Sequence, residues 1–189
     1  QGLEVLINLG HRGACGADPE TGDGAGILMQ MPHEFFAEQC ARLSIPLGAY
    51  GTYGVGMVFL PQDPQQRQTC ERTIEQVVKR EGQTLLGWRD VPISTAAIGT
   101  LATQVQPVIR QFFVGRDDCL ADQISFELKL YITRKQIEKA VAGSGIQDVD
   151  DFYICSLSSN RIVYKGLVMA RQLEHFYHDL HDQAIATSF

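Results

Sequence analysis

Apolar and polar positions along the chain fall into segments of clearly different period. From Pro64 to Arg80, Cys70, Ile74, Val77 and Val78 recur at i, i+4, i+7 and i+8, the stripe of an amphipathic helix. Asp63 stands at the N-cap position and Gly82 where the helix would stop. Pro32 to Leu43 predicts a second helix with Phe35, Phe36 and Cys40 inward. Tyr53 to Leu60 (YGVGMVFL) is apolar on both faces and is followed by Pro61, as expected of a central strand. Ile27 to Met31, Leu85 to Val91 and Val108 to Val114 predict further strands, the second carrying the only tryptophan, Trp88. Phe126 to Thr133 (FELKLYIT) alternates strictly, which predicts a half-buried strand, with helix resuming over Arg134 to Ala142. Phe152 to Leu157 and Arg161 to Lys165 flank Ser158-Ser159-Asn160 as a predicted hairpin, and a short helix is expected from Ala170 to Tyr177. At the start, Leu3, Leu6 and Ile7 have helical spacing without a preceding cap. They read as the last turns of a helix that begins upstream, and Ala184 to Phe189 read as the start of a strand. Strands and helices in mixed order predict an α+β layered architecture in one domain, 1–189, and not a doubly wound parallel sheet.

Composition narrows the function classes. A chain of 189 residues can bury a real core. A net charge of −6 argues against nucleic-acid and anionic-membrane partners, which call for a basic face. The five cysteines are odd in number, widely spaced and form no CxxC pair, so neither a disulfide framework nor a metal site is expected. No segment has the length of a membrane-spanning helix and no signal segment opens the chain. The expected location is the cytoplasm, or the stroma of a plastid.

The densest chemistry lies between Gly10 and Gly26, where six of seventeen positions are glycine. Such a backbone bends tightly or lets another group approach closely. The Arg12-Gly13 pair adds a planar cation suited to a carboxylate. A phosphate loop does not fit, because Gly16 and Gly22 are wrongly spaced and no Lys-Ser/Thr follows. A dinucleotide fingerprint does not fit either, since Gly22-Asp23-Gly24-Ala25 breaks the spacing and the loop precedes a strand.

The wording of this loop, HRGACGADPETGDGAGI, closely resembles a segment near the start of glutamate synthase large chains, in their class II, N-terminal-nucleophile glutaminase domain. The resemblance continues in order through PHEFF, PVIRQFFV, LKLYITRKQIE and IVYKGL, and so spans the chain. It implies a four-layer αββα sandwich, here incomplete, with an inserted α+β region over roughly Gly51 to Ala142. It also implies a reaction: an N-terminal Cys thiolate attacks the side-chain amide of L-glutamine, ammonia leaves, and water releases glutamate from the thioester. The α-amine of that residue, with a pKa of roughly 7.7–8, accepts the thiol proton. The ammonia passes to 2-oxoglutarate in the synthase domains of the same polypeptide, which the resemblance equips with FMN and a 3Fe–4S cluster, and with ferredoxin or NAD(P)H as electron donor.

The chain departs from that pattern at both ends. Residue 1 is Gln1, not the Cys of a Cys-Gly start, and Phe189 precedes the family's His-Ser-Arg-Phe and Asn-Gly segments. Of the essential set, Arg12 alone carries over, in a supporting role, and the chain as it stands is expected not to hydrolyse glutamine. The alternative is a non-catalytic binding or regulatory module on the same scaffold. Cys15 reads as a small residue packed beneath the loop, with a reactive thiol as the competing reading. Cys40, Cys70 and Cys155 read as core, and acidic neighbours should raise the thiol pKa of Cys119. Asp23 is expected to hold the glycine turn, and His11 and His33 read as structural. His175, His178 and His181, spaced i, i+3, i+6, read as a solvated helix face and not a metal site. Lys129 to Lys139 reads as a mixed charged surface.

Overall fold

A computed structural model describes residues 2–10, 18, 20–147 and 149–185. Six helices, α1 (Gly2–Asn8), α2 (His33–Arg42), α3 (Pro64–Arg80), α4 (Thr100–Gln104), α5 (Gln123–Ala142) and α6 (Leu173–Phe176), alternate irregularly with six strands. The strands are β1 (Ala25–Gln30), β2 (Tyr53–Leu60), β3 (Thr84–Asp90), β4 (Val108–Gly115), β5 (Tyr153–Ser158) and β6 (Arg161–Gly166). They form two sheets, β3-β4-β2-β5 and β1-β6, with every pairing antiparallel. The α+β class expected from the sequence is the class observed.

Strand β2 is the axis of the larger sheet, paired with β4 on one side and β5 on the other. Its alternation divides the core. Tyr53, Val55 and Met57 join one buried cluster with Phe36, Phe113, Tyr164 and Tyr177. Val58 and Leu60 face the other, made with Cys70, Ile74 and Val77 of α3 and Phe126, Leu130 and Ile137 of α5. Helices α3 and α5 therefore cover one face of the sheet, while β1, β6, α2 and the C-terminal turns cover the other. The glycines of β2 make this possible. A Cβ on Gly56 would lie 2.1 Å from the ring of Phe112, its register partner, and one on Gly54 would lie 2.6 Å from Leu130 of α5. The region Gly51 to Ala142 supplies three strands of this sheet and both long helices, and β5 completes it.

Four expectations change, the smallest at Ala184 and Ile185, which were expected to open a strand and lie instead in a 3-10 turn, Gln183–Ile185, with 186–189 outside the described residues. Phe126 to Thr133 is not a strand but the first half of α5, capped by the Asp122 carboxylate, which accepts from the Ser125 N–H. The alternation misleads because the helix is apolar on two sides: Phe126 and Leu130 are buried, whereas Leu128 and Ile132 point outward. Strands β5 and β6 are consecutive but do not form a hairpin. β5 pairs with β2 and β6 pairs with β1, so the turn at Ser159-Asn160 carries the chain from one sheet to the other. The Ser156 hydroxyl accepts from the Val163 N–H at 3.2 Å, a side-chain bond where a hairpin would use backbone. Finally, the helix expected from Ala170 to Tyr177 divides into a 3-10 turn, Ala170–Gln172, and the short α6. Tyr177 turns to extended backbone (φ −98°, ψ 106°) and bridges Ile93.

Candidate functional site

Residues 11–17, which hold His11, Arg12 and Cys15, lie outside the described residues; the strand-facing half of the loop is described and is firmly anchored. Asp18 organises it. Its carboxylate accepts from the Glu20 N–H at 3.0 Å and the Thr21 hydroxyl at 2.8 Å, and from the Leu101 N–H at the start of α4 at 3.3 Å. These bonds, the one from Glu20 foremost, hold the carboxyl below its ordinary 3.8. The Gly99 N–H donates to the Glu20 carbonyl at 3.0 Å, and a Cβ on Gly99 would lie 2.4 Å from the Asp18 carboxylate. From the other side, the Gln172 amide donates to the same Glu20 carbonyl at 2.8 Å while its oxygen accepts from the Met169 N–H at 2.7 Å. Gly22 lies directly on the backbone of Val168 and Met169, where a Cβ would come within 2.5 Å. Gly24 has φ +131°, a backbone that L side chains rarely adopt, and β1 begins at Ala25.

The loop is thus clamped between α4 and the 166–172 segment. Asp23, expected to hold the turn, is exposed, and the task falls to Asp18. The Asp18-x-x-Thr21 spacing, an acidic residue accepting from the amide two residues on and the hydroxyl three residues on, was the available sequence signal.

A second constellation went unread in the sequence. Arg89 of β3 is buried between the sheets and makes a bidentate ion pair with Asp179, at 2.7 and 2.8 Å. Gln111 of β4 accepts from Arg89 at 2.9 Å, Tyr164 of β6 donates to Asp179 at 2.9 Å, and Gln111 donates to Tyr164 at 3.1 Å. The guanidinium also lies over the Phe35 ring of α2, 5.2 Å from its centroid. Burial opposes the charge of Arg89, but Asp179 more than compensates and raises its pKa. Burial, reinforced by Asp179, pushes the Tyr164 hydroxyl well above its ordinary range and keeps it a donor. The network closes on itself and joins β3, β4, β6 and the 178–181 turn. It is an inter-sheet fastening, and one arginine in a strand next to Trp88 gave no sign of a partner ninety residues away.

The remaining singled-out residues are placed as follows. Cys40, Cys70 and Cys155 are buried, and burial pushes their thiols up to about 11, 11 and 12. Cys119 is exposed, and its bond with Asp117 raises its thiol too. None of these four is prepared as a nucleophile, which needs a lowered pKa. The His33 ring meets the Tyr53 hydroxyl at 2.9 Å, a structural contact beside α2. His175, His178 and His181 line an open surface depression with Ser94, Ala96 and Ala97, and the rings of His175 and His181 are 6.0 Å apart. Among the described residues no group of three or more His, Cys, Asp or Glu side chains could hold a metal ion. No helix of the described residues is long and apolar enough to cross a membrane.

Comparison with known proteins bears on the whole chain. Residues 1–189 match the family model of class-II glutamine amidotransferases. The chain is 46% identical, over 189 residues, to the NADPH glutamate synthase large chain of Bacillus subtilis. It is 39% identical, over 190 residues, to ferredoxin-dependent glutamate synthase 2 of Synechocystis, and 40% identical, over 192 residues, to a chloroplastic/mitochondrial ferredoxin-dependent glutamate synthase of Arabidopsis thaliana. These alignments take in 98–100% of the chain but only 12% of each relative.

Proposed function

The chain belongs to the class-II glutamine amidotransferases, and from that premise we propose that it is a segment of the glutaminase domain of a glutamate synthase large chain. The complete domain hydrolyses L-glutamine to glutamate and delivers ammonia to 2-oxoglutarate. The observation that carries this reading is the match from end to end to glutamate synthases that take reductant from either source, NADPH or ferredoxin. A glutaminase function is common to both; the electron donor is not.

Within that reading, this segment supplies scaffold and one side of the active site. The nucleophile is a Cys thiolate contributed from outside residues 1–189: it attacks the amide carbon, ammonia leaves with the proton the base has taken, and water cleaves the thioester. The raised thiols of Cys40, Cys70, Cys119 and Cys155 support an external nucleophile. Arg12, in its His-Arg-Gly motif, is assigned the supporting role beside the site. The contacts of Asp18, Gly99 and Gln172 fix Asp18 and Glu20, which follow the motif in sequence.

Relatives of this kind imply FMN and a 3Fe–4S cluster, and the residues described here do not fit the latter. Cys40, Cys70 and Cys155 lie buried in three different elements, and no clustered donor set exists among the described residues. No step of the glutaminase reaction passes through either group. The test is glutamate release from L-glutamine by the native protein and by residues 1–189 in parallel. Release by the native protein alone is expected; turnover by residues 1–189, or none by either, would overturn the reading.

A further inference from the structure

Helix α4 and the segment after β6 face each other across a cleft of about 130 Å³. Its lining is largely apolar. Ile98 and Ala102 contribute from the α4 side, Val168 and Phe176 from the C-terminal side, and Phe59 of β2 and Ile109 of β4 complete it. Val105 and Leu167, 64% and 57% exposed, line its solvent side. The charged residue of the lining, Lys165, is already engaged: it donates to the Tyr153 hydroxyl at 2.9 Å and lies 4.0 Å from the centre of that ring. Close-packed interiors leave few voids larger than a water molecule, and an apolar void gives water no partners. A dry cavity of about 150 Å³ lined by Leu, Ile and Phe takes up benzene, and this cleft has a similar size and lining.

The same two walls anchor Asp18 to Gly24. On the α4 side, the Leu101 N–H donates to Asp18 at 3.3 Å and the Gly99 N–H to the Glu20 carbonyl at 3.0 Å. On the other, the Gln172 amide donates to that carbonyl at 2.8 Å, and a Cβ on Gly22 would come within 2.5 Å of the Val168 backbone. Val168 therefore belongs both to the cleft and to the anchor.

We propose that the cleft is a binding site for one compact, uncharged, apolar molecule of about the size of benzene, and that its occupancy tightens the anchoring of Asp18 to Gly24. Removal of apolar surface from water supplies the affinity. Because the molecule touches both walls, it binds the clamped arrangement better than a parted one, which is the differential that any such shift requires.

The probe is fluorobenzene, added to the native protein and followed by its fluorine resonance. Saturable broadening is expected. Ala102→Leu, which fills the cleft, should weaken the binding at least about tenfold at an undiminished Tm. Hydrogen exchange gives a second reading, on the unmodified protein. At a fluorobenzene concentration about ten times its Kd, the amides of Gly99 and Leu101 should exchange about tenfold more slowly. No saturable binding, or binding that Ala102→Leu leaves unchanged, would overturn the site. Unaltered exchange at saturation would overturn the coupling, and this reading holds even if Ala102→Leu fails to fold. None of these readings uses glutaminase activity, so their failure leaves the proposed function intact.

Discussion

At the scale of single residues, close packing of backbone explains more of the candidate site than any reactive group does. Gly22 is pressed against Val168 and Met169 with no space for a Cβ, and neither neighbour is the end of a flexible side chain. Gly22→Ala should therefore destabilise the chain by about 2 kcal/mol, the usual cost of overpacking, visible as a lower urea midpoint. An unchanged midpoint would mean that the clamp is not tight. Arg89 and Asp179 make a different demand. Removing one partner strands a buried charge, so Asp179→Leu should cost about 3–5 kcal/mol. The double variant Arg89→Met/Asp179→Leu should regain much of that, because two apolar residues leave nothing uncompensated. Chemical denaturation of the three variants would measure the coupling. The buried thiols set an alkaline limit. Unfolded, Cys40, Cys70 and Cys155 ionise near 9.0; folded, they do so only at about 11, 11 and 12. The folded chain thus retains protons that the unfolded chain loses. This contribution is fully present below pH 9.0 and declines as pH rises through the folded values. The urea midpoint should fall as pH rises from 9.0 through about 11, and less steeply in Cys70→Ala, although that variant is less stable throughout. Equal slopes would contradict the assignment.

At the scale of elements, what was legible in the sequence depended on whether one period decided the matter. Helix α3 was readable to its ends because a single stripe, the Asp63 cap and Pro64 agree; the carboxylate accepts from the N–H groups of Gln65 and Gln66 as the capping pattern requires. β2 was readable because a run apolar on both faces, stopped by Pro61, has no helical alternative of that length. α5 was misread for the reason that makes it interesting. Two apolar stripes on opposite sides imitate the alternation of a strand over eight residues, and only the full twenty-residue element separates the two. The β5–β6 turn was found, but nothing local distinguishes a hairpin from a crossing between sheets, because the difference lies in the partners β1 and β2, each about a hundred or more residues away. The loop anchors Gly99 and Gln172 were invisible for the same reason. One element-level prediction concerns the inner face of α5. The hydroxyl of Thr133 is buried there without a hydrogen-bond partner among the described residues. Thr133→Val, which keeps the shape and removes the unpaired group, should raise stability by about 1 kcal/mol in thermal denaturation. A loss would show that the hydroxyl is satisfied.

At the scale of the whole molecule, the two sheets are joined by the inter-sheet network of Arg89 and Asp179, and Asp18 to Gly24 are anchored against α4 and the 166–172 segment. The family assignment came from a long irregular motif, not from periodicity or charge, and the end-to-end match to class-II glutamine amidotransferases supports it. The chemistry was less legible because the four described cysteines have raised thiols and the loop residues Arg12 and Cys15 lie outside the described residues. The most direct measurement is the intact mass and N-terminal sequence of the native protein, taken with its glutaminase activity. A chain much longer than 189 residues that begins with Cys-Gly and releases glutamate from glutamine is the predicted result. A native chain that begins at Gln1 and leaves glutamine untouched would contradict the account and favour a non-catalytic module on this scaffold.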